Sequence, residues 1–423
     1  MAKANVNPAR SLAVLLWCSL ITLLSPCWAA ETQTYSPEVQ HEALDISKIP
    51  RPPEKPESIL EFFRERTHFG YGLNEWIFDN FFFQDNNKQE EELSILEGKV
   101  LFADPRGSLL YGVAYDGNAA RYHRLSKGKM DHDVKTFFHF DPGGRFQLGG
   151  AYGLSVNNSL VVGPDSVDIL RRSKDFQRFA EHKWNVDWRY DLDSIHSLDS
   201  KTSYSILDDQ TVNDADTDRK KLTTSLDLNH ILKPGWTLSG GYEFRHVFIP
   251  GNKLKSSNTH ALRLGTHYIL TDLVDLDTIF TLGSTESKDG TKDTEPGLTG
   301  TWEYKAGPRT TLKLTYGDQR RVSYAVSRRR FRDRNTSVDV FYLLTPLVEL
   351  TAGAHYEKQI SEGGDVLQGT TASTATSRSY NLKFGIHWKV RENAKFLVDY
   401  TYSRSKSADY TGNLWVFTYE VAY

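Results

Sequence analysis

The chain alternates. In its last stretch Trp415, Phe417, Tyr419, Val421 and Tyr423 take every second place, with Val416, Thr418, Glu420 and Ala422 between them. The same period runs through Tyr380, Leu382, Phe384, Ile386, Trp388 and Val390, and through Phe396, Val398, Tyr400 and Tyr402. Upstream it returns in Leu262–Leu270, Trp236–Phe244 and Trp184–Tyr190. Side chains of a strand point alternately to its two faces, so each stretch predicts a strand with one apolar and one polar face. The pattern begins near His68 and continues to the end.

Tight-turn signals punctuate the strands. They stand at Pro105-Arg106-Gly107, Pro142-Gly143-Gly144, Asp193-Ser194, Lys233-Pro234-Gly235, Thr271-Asp272, Ala306-Gly307-Pro308, Thr345-Pro346 and Arg391-Glu392-Asn393, in steps of 35 to 51 residues. Between them lie polar stretches that predict long loops, such as Asp208–Lys220, Gly251–Asn258, Ser284–Glu295 and Ser361–Ser377. Eight short turns and two chain ends give nine strand pairs, hence about 18 strands. Propeller blades recur at about 40–45 residues, but they bury both faces of their inner strands, whereas here one face stays polar. A dyad repeat with alternately short and long connections predicts an all-β fold: a transmembrane, antiparallel, up-and-down β-barrel with both termini periplasmic.

Composition sharpens this picture. The chain holds 21 Tyr, 22 Phe and 9 Trp, yet its mean hydropathy is −0.50. Beyond the N-terminus no run approaches the roughly 18 apolar residues that a helical span needs. A barrel reconciles the two, with aromatics towards lipid and a wet interior behind them.

The first residues read as a leader. Lys3 and Arg10 precede an apolar run from Ser11 to Leu24, followed by Ser25-Pro26-Cys27-Trp28-Ala29-Ala30. This is the order of a secretory signal peptide over residues 1–30. Its removal takes Cys18 and Cys27, the two cysteines of the chain, and moves the formal charge from −3 to −5 by loss of Lys3 and Arg10. A thiol nucleophile, a disulfide and covalent haem attachment are thereby excluded from the mature chain. No cofactor is expected, and mild acidity gives no footing for nucleic acid. Residues 31–67, with Pro37, Pro50, Pro52, Pro53 and Pro56, read as a periplasmic arm containing a short amphipathic helix over Glu57–Arg66. Residues 68–423 form the barrel.

The terminal run Trp415, Phe417, Tyr419, Val421, Tyr423 resembles the C-terminal assembly signal of bacterial outer-membrane proteins. That resemblance implies the outer membrane of a Gram-negative bacterium, with its lipids, lipopolysaccharide and assembly machinery as partners. The stretches Leu73–Phe83 (LNEWIFDNFFF) and Arg329–Pro346 (RRFRDRNTSVDVFYLLTP) resemble the β-barrel porin 2 family. That family is associated with exopolysaccharide export, which implies polysaccharide-export components as further partners.

Alternation assigns the inward positions. They include Arg189, Glu243, Arg245, Arg263, Asp275, Glu303, Lys313, Asp339, Lys383, His387 and Asp399. Both signs are interspersed, and about 18 strands enclose water rather than a packed core. The expectation is a polar channel without strong charge selectivity. Arg328, Arg330, Arg332 and Arg334 predict an anion-contacting rim beside a long loop. Asn157–Ala180 predicts another long loop. Asp214, Asp216 and Asp218 have the spacing of a calcium loop, but Arg219 stands where glycine is required. Hydrolase and nucleotide-binding signatures such as G-x-S-x-G, H-E-x-x-H and the Walker loop do not occur. The chain is therefore read as a channel and not an enzyme. The alternatives are a sheath for a periplasmic export or electron-transfer partner, and an outer-membrane lipid hydrolase.

Overall fold

The computed structural model describes Phe63 and residues 66–79, 90–161, 172–209, 218–250, 256–271, 273–288, 290, 292–322, 330–362, 375–405 and 410–422. These form 18 strands. The first nine are β1 (Thr67–Phe78), β2 (Glu91–Arg106), β3 (Leu109–Tyr122), β4 (Lys127–Phe140), β5 (Phe146–Val161), β6 (Arg172–Asp191), β7 (His196–Asp209), β8 (Arg219–Lys233) and β9 (Trp236–Phe248). The second nine are β10 (Ser257–Thr271), β11 (Val274–Ser287), β12 (Lys292–Gly307), β13 (Thr310–Val322), β14 (Arg330–Thr345), β15 (Val348–Glu362), β16 (Ala375–Arg391), β17 (Ala394–Ser405) and β18 (Tyr410–Ala422).

Each strand pairs antiparallel with the next, and β1 pairs with β18 from Gly70↔Ala422 to Phe78↔Leu414. The sheet is a closed barrel. All eight predicted short turns fall between strands at the end where β1 begins and β18 finishes. Gly107 and Gly235 adopt φ of 57° and 79° in two of these turns, a backbone region in which a side chain is strained.

The two faces of the wall differ as the alternation requires. Leu262, Leu264, Phe280 and Leu282 lie side by side across β10 and β11, with Leu262 and Leu264 each 62% exposed. Leu382, Phe384, Ile386, Trp388 and Val390 continue the same face on β16. A contiguous apolar belt of this extent is not a water-facing surface. The opposite face carries ion pairs, and a cavity of about 670 Å³ lies against it along β11–β16. The polar face is therefore the concave, interior one.

Three features depart from the expected pattern. The polar stretches are shorter as loops than predicted, because Ser284–Ser287 belongs to β11 and Lys292–Glu295 to β12. Likewise β5 runs to Val161 and β6 starts at Arg172, inside the predicted loop Asn157–Ala180. Strands that rise past the belt have water on both sides, so their apolar–polar alternation disappears while the backbone ladder continues. The β3–β4 connection is only His123–Ser126, capped by Glu91, whose carboxylate accepts the Arg124 and Leu125 N–H groups at 2.8 and 3.1 Å.

The interior face is also not polar throughout. Trp76, Phe78, Leu93, Ile95, Ala120, Tyr122 and Leu414 form a buried apolar cluster on β1–β3 and β18, and Leu101, Ala103 and Phe137 form a second. The leader, nearly all of the arm, Asp214, Asp216, Arg328 and Tyr423 lie outside the described residues. Of the arm, Phe63 packs on Phe102 with ring centroids 5.9 Å apart, and Arg66 donates to Asp104 at 2.8 Å.

The belt makes a direct prediction. Leu264→Arg, at mid-strand, should cost about 2–4 kcal/mol in a bilayer. Urea unfolding of the refolded protein in lipid measures it; a cost near zero would mean this face meets water.

Candidate functional site: the polar face of the wall

The polar face is built from carboxylates lying over glycines. On β14 and β15, Asp339 stands opposite Gly353, and a Cβ at Gly353 would lie 2.4 Å from Asp339 Oδ1. The missing side chain lets the carboxylate lie along the wall and reach His355 Nε2, one step further on β15, at 3.0 Å. Gly385 beside Asp399 and Gly149 beside Asp187 repeat the arrangement, with would-be Cβ atoms at 2.2 and 2.7 Å from the carboxylate. At Gly241 the effect spans two strands. Asp227, Gly241 and Arg263 share one register row, and Arg263 donates across the glycine to Asp227 Oδ2 at 3.1 Å.

The predicted interior residues share this face. Asp275, Glu303, Lys313, Asp339, Gly353 and Lys383 follow one another in register across β11–β16, a band of mixed sign. Arg245 pairs with Glu243 along β9 at 2.8 Å. His387 lies between Asp399 and Glu349, at 3.1 and 3.4 Å. Arg189 stands near the short-turn end and pairs with Asp191 of its own strand at 2.9 Å. The cavity is bordered by Asp277, Lys313, Asp339, His355, Glu357 and Lys383.

Sequence reasoning missed the polar seam where the barrel closes. Lys99 reaches Glu420 at 3.3 Å and Glu97 at 3.7 Å, joining β2 to β18 across β1. Asn74 of β1 donates to Glu97 at 2.6 Å and accepts from Thr418 of β18. The signal was present in part, since Glu97, Lys99 and Glu420 alternate with Leu96, Val100, Tyr419 and Val421, but nothing in the sequence says that the first and last strands meet.

Two arginines of the predicted rim, Arg332 and Arg334, face outward. Arg332 and Arg334 share the face of Val338 and Val340, with Arg332 gripping Asp318 through Nε and a terminal nitrogen at 2.8 and 2.6 Å. Arg330 belongs to β14, with its side chain outside the described set. Trp415, Phe417 and Tyr419 lie outward too, and Trp415 packs on Tyr400 with ring centroids 4.7 Å apart. Val421 pairs with Tyr71 and Ala394 and is buried.

Two further polar contacts off the interior face bear on chemistry. Asp193 caps the β6–β7 turn, accepting the Ile195 and His196 N–H groups, both at 2.8 Å. The Ile195 amide first, then the His196 side chain, hold its carboxyl below the ordinary value. Ser94 Oγ and His123 Nε2 are 2.7 Å apart on the outward side. Nucleophilic catalysis needs a third group to orient the imidazole and donors for an oxyanion. Among the described residues, neither Ser94 nor His123 makes a second side-chain hydrogen bond or ion pair.

Comparison with known proteins adds the fold. No protein-family model and no curated protein matches the chain. The solved structure of Pseudomonas aeruginosa OccK5 (OpdH) superposes with a TM-score of 0.50 at 12% identity, covering 85% of this chain and 99% of that one. The architecture is that of an outer-membrane barrel. The outer membrane protein OpdK and OpdL, both of Pseudomonas aeruginosa, give TM-scores of 0.49 and 0.48 at 10% identity. They cover 85% and 84% of this chain and 99% and 98% of their own. At such identities the likeness is one of fold. The resemblance to the β-barrel porin 2 family has no matching family model behind it.

The glycine–carboxylate arrangement is testable. Gly353→Ala should destabilise the protein, because the new methyl displaces Asp339 from His355, and should cost much less in an Asp339→Ala background. A double-mutant cycle by chemical denaturation should return a coupling of about 0.5–3 kcal/mol. Additive costs would show that the glycine serves another purpose.

Proposed function

We propose that the protein is an outer-membrane channel of a Gram-negative bacterium through which small polar solutes of either charge pass. The observation that carries this reading is the cavity of about 670 Å³ against a mixed-charge wall inside a closed 18-stranded barrel. A barrel of 16–18 strands is wide enough for an aqueous lumen. Ionised groups on such a wall keep their hydration, and their cross-strand pairs fix the wall's shape without a single sign of charge to repel one class of solute. With both termini periplasmic, the short turns face the periplasm and the longer connections the outside. Passage of a polysaccharide is the finer form of the same reading and rests on the family resemblance alone.

The Ser94–His123 contact keeps lipid hydrolysis as a second reading. Phospholipid hydrolysis by the purified barrel, abolished by Ser94→Ala, would establish it.

Planar-bilayer recording tests the channel. The folded protein should give discrete openings with cation and anion permeabilities of similar size. Lys313→Glu with Lys383→Glu should shift the preference towards cations, since both amines border the cavity. Folded, inserted protein that gives no openings would overturn the open-channel reading.

A further inference from the structure

The outward face of β13–β17 carries a row of cations above the apolar belt. Register sets Asp318 beside Arg334, Arg334 beside Lys358, and Lys358 beside Arg378 on successive strands. All share the face of Val338, Leu382 and Phe384, so the row points away from the interior. The next row towards the belt holds Thr336, Tyr356 and Tyr380, the two tyrosine rings 4.9 Å apart, with Arg404 in register beside Tyr380. Apolar rows follow as far as Trp388, eight residues from Tyr380 on β16. That separation is about 26 Å along the strand, or about 20 Å across the membrane at the usual tilt. The cations thus sit just past one aromatic girdle, at the depth of headgroups, at the barrel end opposite the short turns.

The row is electrostatically incomplete. Strands are about 4.8 Å apart, and like charges directly opposite one another in a sheet repel. Asp318 is the carboxylate in the row, and Arg332 already holds both its oxygens, with Arg334 Nε 3.7 Å from one of them. Among the described side chains, Lys358, Arg378 and Arg404 are therefore in excess on this surface. Of the other described outward cations near this end, Arg121, Arg178 and Lys220 stand singly in the register, and Lys292 pairs with Glu286 at 3.2 Å. A clustered excess of positive charge at headgroup depth calls for an anionic lipid, and phosphate oxygens can be shared between neighbouring guanidinium and ammonium groups.

We propose that Lys358, Arg378 and Arg404, beside the buried Arg334, bind the phosphates of a phosphorylated glycolipid in the outer leaflet. This rests on the outer-membrane placement and not on an open lumen, so loss of conductance and loss of lipid binding are separate outcomes. The test adds lipid A with both phosphates, the same lipid dephosphorylated, or inorganic phosphate to the full mature chain in detergent, and follows thermal unfolding by the electrophoretic shift of the folded barrel. The bisphosphorylated lipid should raise the midpoint, and the other two should not. In the Lys358→Gln/Arg378→Gln variant the apparent lipid dissociation constant should rise about tenfold or more, the effect of losing at least one charge-assisted contact. An equal shift with dephosphorylated lipid or with inorganic phosphate overturns the assignment, as does an unchanged lipid response in the variant. Should the double variant fail to fold, the two single variants read the same comparison.

Discussion

Every backbone N–H and C=O group inside a bilayer must find its partner within the protein. That constraint explains the barrel. An open sheet would leave two edges of unpaired polar groups in hydrocarbon, and the pairing of β1 with β18 removes both. The rest follows from closure. With an even number of strands the first and last are antiparallel, so both chain ends come to the short-turn side. The same closure brings Lys99 within reach of Glu420, a pair separated by almost the whole barrel sequence.

Closure also decides what the side chains meet. The outward face can hold Leu264 or Phe384 without cost, since lipid is as apolar as they are. The inward face holds charges because water reaches them, and because glycines let carboxylates lie flat along the wall. A side chain at Gly241 would collide with the Asp227 carboxylate and block its contact with Arg263. The wall is asymmetric around its circumference. The sector from β11 to β16 carries the mixed-charge band and the cavity, whereas β1–β5 and β18 hold the two apolar clusters. A solute inside the barrel therefore meets two different surfaces.

The alternation in the sequence located the strands well in the belt, where one face is wet and the other is not. Trp236–Phe244 and Tyr380–Val390 lie as expected, on β9 and β16. It failed where that contrast ends. The polar residues Ser284–Ser287 and Lys292–Glu295 read as loop because both their faces meet water, yet they are strand. Trp76 and Phe78 interrupt the rule in the opposite sense, being apolar residues on the interior face that pack with Leu93 and Tyr122. The predicted interior charges could be placed on a face by counting alone, but their partners could not. Cross-strand pairing depends on register, and register is set by turns and bulges as much as by pattern.

The sequence by itself determined the class of fold, the approximate number of strands and the side of the wall on which each belt residue lies. These are local properties, carried by a period of two and by the chemistry of tight turns. The tertiary structure decided which residues meet. The contact of Arg263 with Asp227 across a glycine, the seam through Asn74 and the outward row of Arg334, Lys358 and Arg378 all join positions on different strands. Their juxtaposition arises from the register and closure of the whole sheet, which no single strand encodes.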